Sequence, residues 1–246
     1  MEYLERSYRE WHRQEDLVHF QVAVKETDLD IGVRQDRFSP ELIKWVEDLI
    51  RAGRQPLEEY IKRDPQFLKA LTPHPLLPEA PVLVQEMAGA AELAGVGPMA
   101  AVAGAMAAWV GKALAKRSRD VIVENGGDIY LRTNRVRTVG IFAGKSPLSN
   151  RIALEVRPNQ SPLGICTSSG RVGPSLSLGK ADAVVILSPS VPLADAAATA
   201  AGNLVQVKED VAKAISLASG IPGVTGAVVI MDDQLAVWGQ VKLCPM

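Results

Sequence analysis

The sequence predicts an α+β fold in which antiparallel strands make the sheets and helices pack on one face. Three observations lead there. Apolar and polar residues alternate at period two in several short runs. Successive runs are joined by links too short for a crossover helix, which argues antiparallel pairing. The helical stretches come in blocks rather than one after every strand.

The first run is Leu17 to Lys25, where Val18, Phe20, Val22 and Val24 are apolar and His19, Gln21 and Lys25 polar. A turn at Glu26 to Asp28 leads to Leu29, Ile31 and Val33, so the two runs read as a β-hairpin. Ser39-Pro40-Glu41 is a helix start, because Ser accepts from free amides, Pro loses nothing at the first helical position and Glu favours the positive dipole end. Gly53 reads as the end of that helix. Leu57 to Lys62 and Gln66 to Leu71 read as two further short helices, and the prolines at 73, 75, 78 and 81 mark a connector. From Val82 a helix, a break at Gly95 to Pro98 and a second helix to about Lys116 follow, both rich in Ala and Gly. Such side chains let backbones approach closely.

Short strands come next, at Val121 to Glu124, Ile129 to Leu131, Val136 to Phe142, Ile152 to Val156, Gly164 to Thr167 and Ala183 to Leu187. Leu193 to Gln206 and Glu209 to Ala218 read as helices, and Val224 to Met231 with Gln234 to Val241 as a closing hairpin about Asp232 and Asp233. The connector is not read as a boundary, because one hairpin and short helices are marginal alone. The expectation is one domain over residues 1–246, with the hairpin and helices up to about residue 80 packed on the remainder.

With 27 basic and 28 acidic residues, the net charge of −1 gives no electrostatic reason to expect nucleic acid or an anionic membrane as partner. The two cysteines, Cys166 and Cys244, make no secretory disulfide framework, and Met1 to Asp16 is charged and aromatic, so the expected compartment is the cytoplasm. Ala94 to Ala115 has about the length of a membrane span. Its hydrophobicity comes from Ala and Gly and is interrupted by Pro98 and Lys112, so it reads as a buried helix.

Four segments stand out for chemistry. Gly97 and Met99 lie in the glycine-rich start of a helix, where free amides suit an anion. Glu124-Asn125-Gly126-Gly127-Asp128 joins two strands, and a turn with no other role explains it as well as a loop in which glycine amides approach a phosphate or a planar ring. In that second reading Glu124 and Asp128 are the polar groups at its edge. Thr167, Ser168, Ser169 and Gly170 follow a strand, and their hydroxyls and amides suit an anion with Arg171 or Lys180 supplying charge, although the P-loop spacing is missing. Asp195 and Thr199 stand four apart on a helix, which puts both oxygens on one face for Mg²⁺ or Ca²⁺, unless Asp195 only favours the helix start. No His and Cys cluster has zinc spacing, and Cys166 has no histidine near it in sequence to make it a nucleophile.

Taken in order, several strings resemble one prokaryotic family of uncharacterised function: ETDLDI from Glu26, GVGPMAAVAGA from Gly95, VENGGDIYL from Val123, GICTSSGRVGPSLSLGKADAVV from Gly164 and ADAAATAAGN from Ala194. That family is a distant relative of ApbE, which transfers FMN from FAD to a Thr or Ser of a target protein using Mg²⁺. The resemblance implies a fold of the tunnelling type and a flavin, FAD or FMN, bound between elements. It also implies a metal held by the Asp and Thr of an Ala-Asp-Ala-x-Ala-Thr-Ala segment, matched here by Asp195, Ala198 and Thr199, with Ala100 matching a carbonyl donor. Gly126, Gly127 and Asp128 match the glycine pair and acid, and Thr167 to Gly170 the Thr-Ser-Gly segment with an extra serine.

The sequence also departs from ApbE. The His-Ile-Ile-Asp-Pro segment has no counterpart, Ala101 stands where ApbE has Lys, and Pro174 follows Gly173 where the nearer family is expected to carry His. A missing His removes a general acid or base of suitable pKa. Three readings therefore stay open: an enzyme or former enzyme that binds a flavin or other phosphate-bearing cofactor with Mg²⁺, with FMN transfer from FAD as its finer form; a ligand-binding sensor without chemistry; and a structural subunit of a homo-oligomer. Glu124 and Asp128 are the candidates for a catalytic base.

Overall fold

The computed structural model describes residues 14–171 and 177–246, so Pro174 lies outside the described residues, as does the chain before Gln14. Strands β1 (Leu17–Val24) and β2 (Thr27–Arg34) pair antiparallel around Lys25 and Glu26, with Lys25 at a φ of 54°. Phe20 faces Ile31 and Val22 faces Leu29, so the alternation seen in the sequence puts one apolar row on one side of the hairpin.

Helix α1 (Pro40–Arg63) does not stop at Gly53 and absorbs the stretch read as a second helix. Gly53 and Pro56 inside a helix cost about 1 and about 3 kcal/mol. Against that, Val46, Ile50, Leu57 and Tyr60 are all buried along one face, each contributing about 1.5–3 kcal/mol. Gly53 has its own packing reason, since a β-carbon there would lie 2.9 Å from the indole Nε1 of Trp109. At the helix start Ser39 is extended but makes no side-chain cap; its hydroxyl bonds the Glu41 carboxylate instead.

After α2 (Pro65–Lys69) and the proline connector come α3 (Val82–Ala94), a 3-10 turn (Pro98–Ala101) and α4 (Val102–Leu114). Gly95, at a φ of 72°, ends α3 in the left-handed conformation, and the Val96 amide returns to the Ala91 carbonyl. Among the described residues no single helix is long and apolar enough to cross a membrane. The α3–α4 pair reaches that length only together, and it bends by 105° at the break.

The remaining elements are β3 (Val121–Asn125), β4 (Asp128–Arg132), β5 (Arg137–Gly140), β6 (Ile152–Val156), β7 (Leu163–Ser168), β8 (Ala183–Ser188), α5 (Val191–Leu204), α6 (Val211–Gly220), β9 (Gly226–Met231), β10 (Gln234–Gly239) and β11 (Leu243–Pro245). An eight-stranded sheet runs β1-β2-β3-β4-β7-β8-β9-β10, and a three-stranded sheet runs β11-β6-β5. All the pairings are antiparallel. The helices cover one face of the large sheet, over Ile31, Val123, Tyr130, Cys166, Ile186 and Val229. The small sheet covers the other, with Leu154 and Val156 against Ile165, Val185 and Val228. The fold is therefore α+β. Strand β11 was not foreseen, because three residues including Pro245 carry no period.

One polar cluster ties the small sheet to the large one. The Arg137 side chain is 3% exposed and pairs with Asp16 and with Asp120, which also accepts from the Thr133 hydroxyl and the Asn134 amide. Burial works against the Asp120 charge, but these partners outweigh it and hold the carboxyl below its ordinary value of 3.8; the bond from Arg137 does the same for Asp16. Arg137→Ala takes the opposite charge from the buried Asp120, which keeps only its bonds from Thr133 and Asn134, and is expected to cost about 3 kcal/mol. The two aspartates contribute stability above an unfolded pKa of about 3.8 and lose it as pH falls through their lower folded values. The melting-temperature gap between wild type and variant should accordingly be widest near neutral pH and narrow below about 3.8; a gap constant with pH would contradict this assignment.

Candidate functional site

The β3–β4 hairpin closes on Gly126 and Gly127, with φ of 68° and 104°, so both turn residues need the left-handed region that glycine enters freely. Asn125 and Asp128 are the flanking pair, and Asp128 in turn pairs with Cys166 of β7. Register and alternation place Asn125, Asp128, Cys166 and Ser168 toward the helices. Glu124 and Thr167 belong to the opposite face. At that rim Glu124 accepts the Gly127 amide at 2.7 Å, and a β-carbon on Gly127 would lie 3.8 Å from the Thr167 β-carbon. The two carboxylates that look alike in sequence are thus separated by the sheet.

On the helix face, α4 and α5 cross in close contact: a β-carbon on Gly104 would sit 2.7 Å from the Val191 carbonyl oxygen and 2.8 Å from the Asp195 β-carbon. That approach brings the Asp195 carboxylate of α5 to the start of α4, where Oδ2 accepts the Gly104 amide at 2.8 Å and the Ala103 amide also donates. Helix starts leave such amides without partners, and here a side chain from another helix supplies the acceptor. Asn125 Nδ2 donates to the Ala103 carbonyl at 3.0 Å, so the hairpin and α5 grip the same turn.

Asp128 faces this turn and is 7% exposed. Its Oδ1 is the buried side-chain oxygen that finds no hydrogen-bond partner among the described residues. Burial first, then the neighbouring Asp195 carboxylate and, more weakly, Glu124 across the sheet push its pKa well above 3.8, while the Cys166 thiol and the Thr167 amide work the other way. Burial raises Asp195 to about 7 against the pull of its two amides. Cys166 is driven well upward by burial and by the same two aspartates, so it is a neutral thiol beside Asp128 and not a nucleophile. A buried pair of carboxyls needs a counter-charge, supplied by protons or by a cation.

Among the described residues no three His, Cys, Asp or Glu side chains converge as a metal cluster. An oxygen site built from carboxylates, a hydroxyl and a carbonyl asks for less, and the orphaned Asp128 oxygen beside Asp195 fits a hard cation. Thr199, half-buried, lies one turn along α5 from Asp195. Ala100, also half-buried, lies in the 3-10 turn that packs on α5. Ala198 is buried in the middle of α5, between Asp195 and Thr199 in the chain.

The other candidates are placed as follows. Gly97 is buried against the chain itself, since a β-carbon there would fall 1.7 Å from the Ala70 carbonyl oxygen. Met99 is half-buried in the same 3-10 turn and packs on the helix-side core. Ser168 meets Gly202 of α5, where an added β-carbon would lie 3.1 Å from its Oγ. Ser169 accepts the Arg171 amide at 3.1 Å and lies 3.4 Å from the Ala181 carbonyl, so it shapes its own turn. Gly170 is exposed, but its α-carbon faces Gly179, whose carbonyl oxygen an added β-carbon would meet at 2.0 Å. Sequence reasoning missed the Ala103 and Gly104 amides, and weighed Cys166 only as a nucleophile, not as a neighbour of Asp128. The only signal was Gly104 itself, a glycine inside a helix where Ala would be favoured.

The comparisons with known proteins agree with one another. Residues 9–236 match the family model described as AbpE bacteria. A UPF0280 protein of Methanosarcina acetivorans is 43% identical over 225 residues, 91% of this chain and 86% of its own length. One from Methanosphaerula palustris is 45% identical over 202 residues, 80% of this chain and 83% of its own. Among solved structures, the flavin transferase ApbE of Vibrio cholerae superposes with a TM-score of 0.56 at 14% identity, covering 91% of this chain and 96% of that one. The ApbE protein of Thermotoga maritima gives 0.54 at 13%, covering 91% and 96%. The chain belongs to the AbpE bacteria family, alongside the UPF0280 proteins, and shares its fold with the ApbE flavin transferases.

Proposed function

We propose that this chain binds a flavin nucleotide, FAD in the first instance, together with Mg²⁺ at the crossing of α4, α5 and the β3–β4 hairpin. The observation that carries the reading is the orphaned, buried Asp128 oxygen beside Asp195, two carboxyls collected where α4 begins. Mg²⁺ held by Asp195, Thr199 and the Ala100 carbonyl, with Asp128 beside it, would neutralise charge on a bridging pyrophosphate. The Gly126–Gly127 turn, with no side chains, leaves room for a phosphate or ring edge to approach the backbone. Ser168 borders α5 on the same face.

Transfer of FMN is the finer reading. An acceptor hydroxyl oxygen forms a new bond to the FMN phosphorus of FAD, the bond from that phosphorus to AMP breaks, the hydroxyl proton passes to a base and AMP leaves. Of the two candidate bases, Asp128 shares a face with Asp195, whereas Glu124 is engaged with the Gly127 amide on the other side. Asp128→Asn is therefore expected to remove turnover and Glu124→Gln to reduce it only through the turn. A second reading, ligand binding without chemistry, is favoured by Ala101 in place of Lys and by the absent His-Ile-Ile-Asp-Pro segment.

Calorimetric titration with FAD, FMN, ADP and AMP, each with and without Mg²⁺, tests the site. Mg²⁺-dependent FAD binding supports it, and release of AMP on adding a Thr- or Ser-bearing acceptor supports transfer. Absence of binding by all four ligands overturns the reading.

A further inference from the structure

The hairpin end remote from Gly126 and Gly127 carries a separate concentration of charge. Strand β3 has five residues at ~3.4 Å each, which puts roughly 15 Å of strand between that end and the turn. A concavity of about 480 Å³ opens there, walled by Arg34, Asp36, Arg37, Lys116, Arg117 and Arg119. Its size falls within the range of ligand pockets, about 300–1,000 Å³.

Five cations thus face one carboxylate, in a chain whose net charge is −1. The carboxylate is already taken. Asp36 accepts Arg34 Nε at 3.0 Å and lies 3.4 Å from Arg37 Nε, so it holds two guanidiniums by their inner nitrogens. Arg34 and Arg37 pair with no other carboxylate among the described residues, and Lys116, Arg117 and Arg119 make no ion pair there. Arg117 is held in place by the Trp45 ring, 4.0 Å from its guanidinium carbon.

The negative end of α4 explains part of this, since Lys116 and Arg117 follow it directly. It does not explain Arg34 and Arg37, which arrive from the end of β2 and the turn after it. The Ala115 carbonyl at that helix end is in any case bonded by Arg132, at 2.7 Å. Cations gathered in a concave wall repel one another and raise the local concentration of anions. With hardly any apolar side chain in the wall, a flavin ring or an apolar peptide has nothing to pack on. Guanidinium forks match oxygens carried in pairs, as on a phosphate.

We propose that this concavity is a second ligand site, which binds a compact phosphate-type anion of several charges without a divalent cation. It stands independently of the flavin reading. The test is calorimetric titration of the full chain with inorganic tripolyphosphate in the presence of EDTA, at low and at raised salt. The same titration is run on the double variant Arg34→Ala/Arg119→Ala, exposed positions whose folding is checked by melting temperature, and on Asp195→Ala. Binding that weakens with salt, weakens at least about tenfold in the double variant and stays within about twofold in Asp195→Ala is expected. Undetectable binding to the wild type, or equal binding by the double variant, overturns the proposal. Loss in Asp195→Ala alone also overturns it, by moving the anion to the first site. A parallel sedimentation with phosphatidic acid vesicles separates the sources: release of protein by tripolyphosphate supports the free anion, and capture by vesicles with no tripolyphosphate binding overturns it.

Discussion

Asp195→Ala is expected to abolish Mg²⁺-dependent binding of FAD, weakening it about a hundredfold or more, because it removes a charged metal ligand from a buried oxygen site. The substitution also strips the acceptor from the Ala103 and Gly104 amides, which by itself costs about 1 kcal/mol of stability as a lost cap. Asp195→Asn separates the two effects. Its amide oxygen can still accept from α4, and it no longer carries charge toward the cation. In the asparagine variant the melting temperature should stay at or above that of wild type, since a charge repelling Asp128 has gone, while metal-dependent binding is lost as in the alanine variant. Full FAD and Mg²⁺ binding by Asp195→Asn would leave Asp195 as a helix cap and nothing more.

Gly97→Ala is expected to produce the largest loss of stability among substitutions in the glycine-rich segments. The added β-carbon would sit 1.7 Å from the Ala70 carbonyl oxygen and 2.6 Å from its carbon, and both are backbone atoms that cannot rotate away. Overpacking typically costs about 1–3 kcal/mol, and a backbone clash lies at or beyond the upper end. For a chain of this length that corresponds to roughly 6–12 °C in melting temperature, at about 2–4 °C per kcal/mol. The deficit should appear without any ligand. Gly126→Ala, by contrast, meets an exposed turn and is penalised only for its φ of 68°, so its stability cost should be about 1 kcal/mol. Equal deficits in the two variants would show that Gly97 is not held by the packing described.

The strands and most helices were legible because their causes are local. Val18, Phe20, Val22 and Val24 alternate with polar neighbours, and Gly95 stops α3 by a conformation that glycine enters freely. The misreading of α1 has a tertiary cause: Gly53 ends an isolated helix, but the indole of Trp109 and the burial of Leu57 and Tyr60 carry this one on to Arg63. The candidate site was legible as a set of segments and not as a geometry. Gly97 and Gly170 suggested backbone exposed to a ligand, and the folded chain uses both, at least in part, for contact with itself.

What the sequence determined by itself was the order of the elements, the antiparallel pairing, the family and the Gly126–Gly127 turn, since each depends on neighbours along the chain. The tertiary structure alone decided which carboxylates meet. Side chains alternate faces along a strand, so Glu124 and Asp128, four residues apart across a two-residue turn, end on opposite sides of the sheet once the register is fixed. Only the crossing of α4 over α5, made possible by the missing side chain of Gly104, then brings Asp195 from 67 residues away to the one of them that faces the helices.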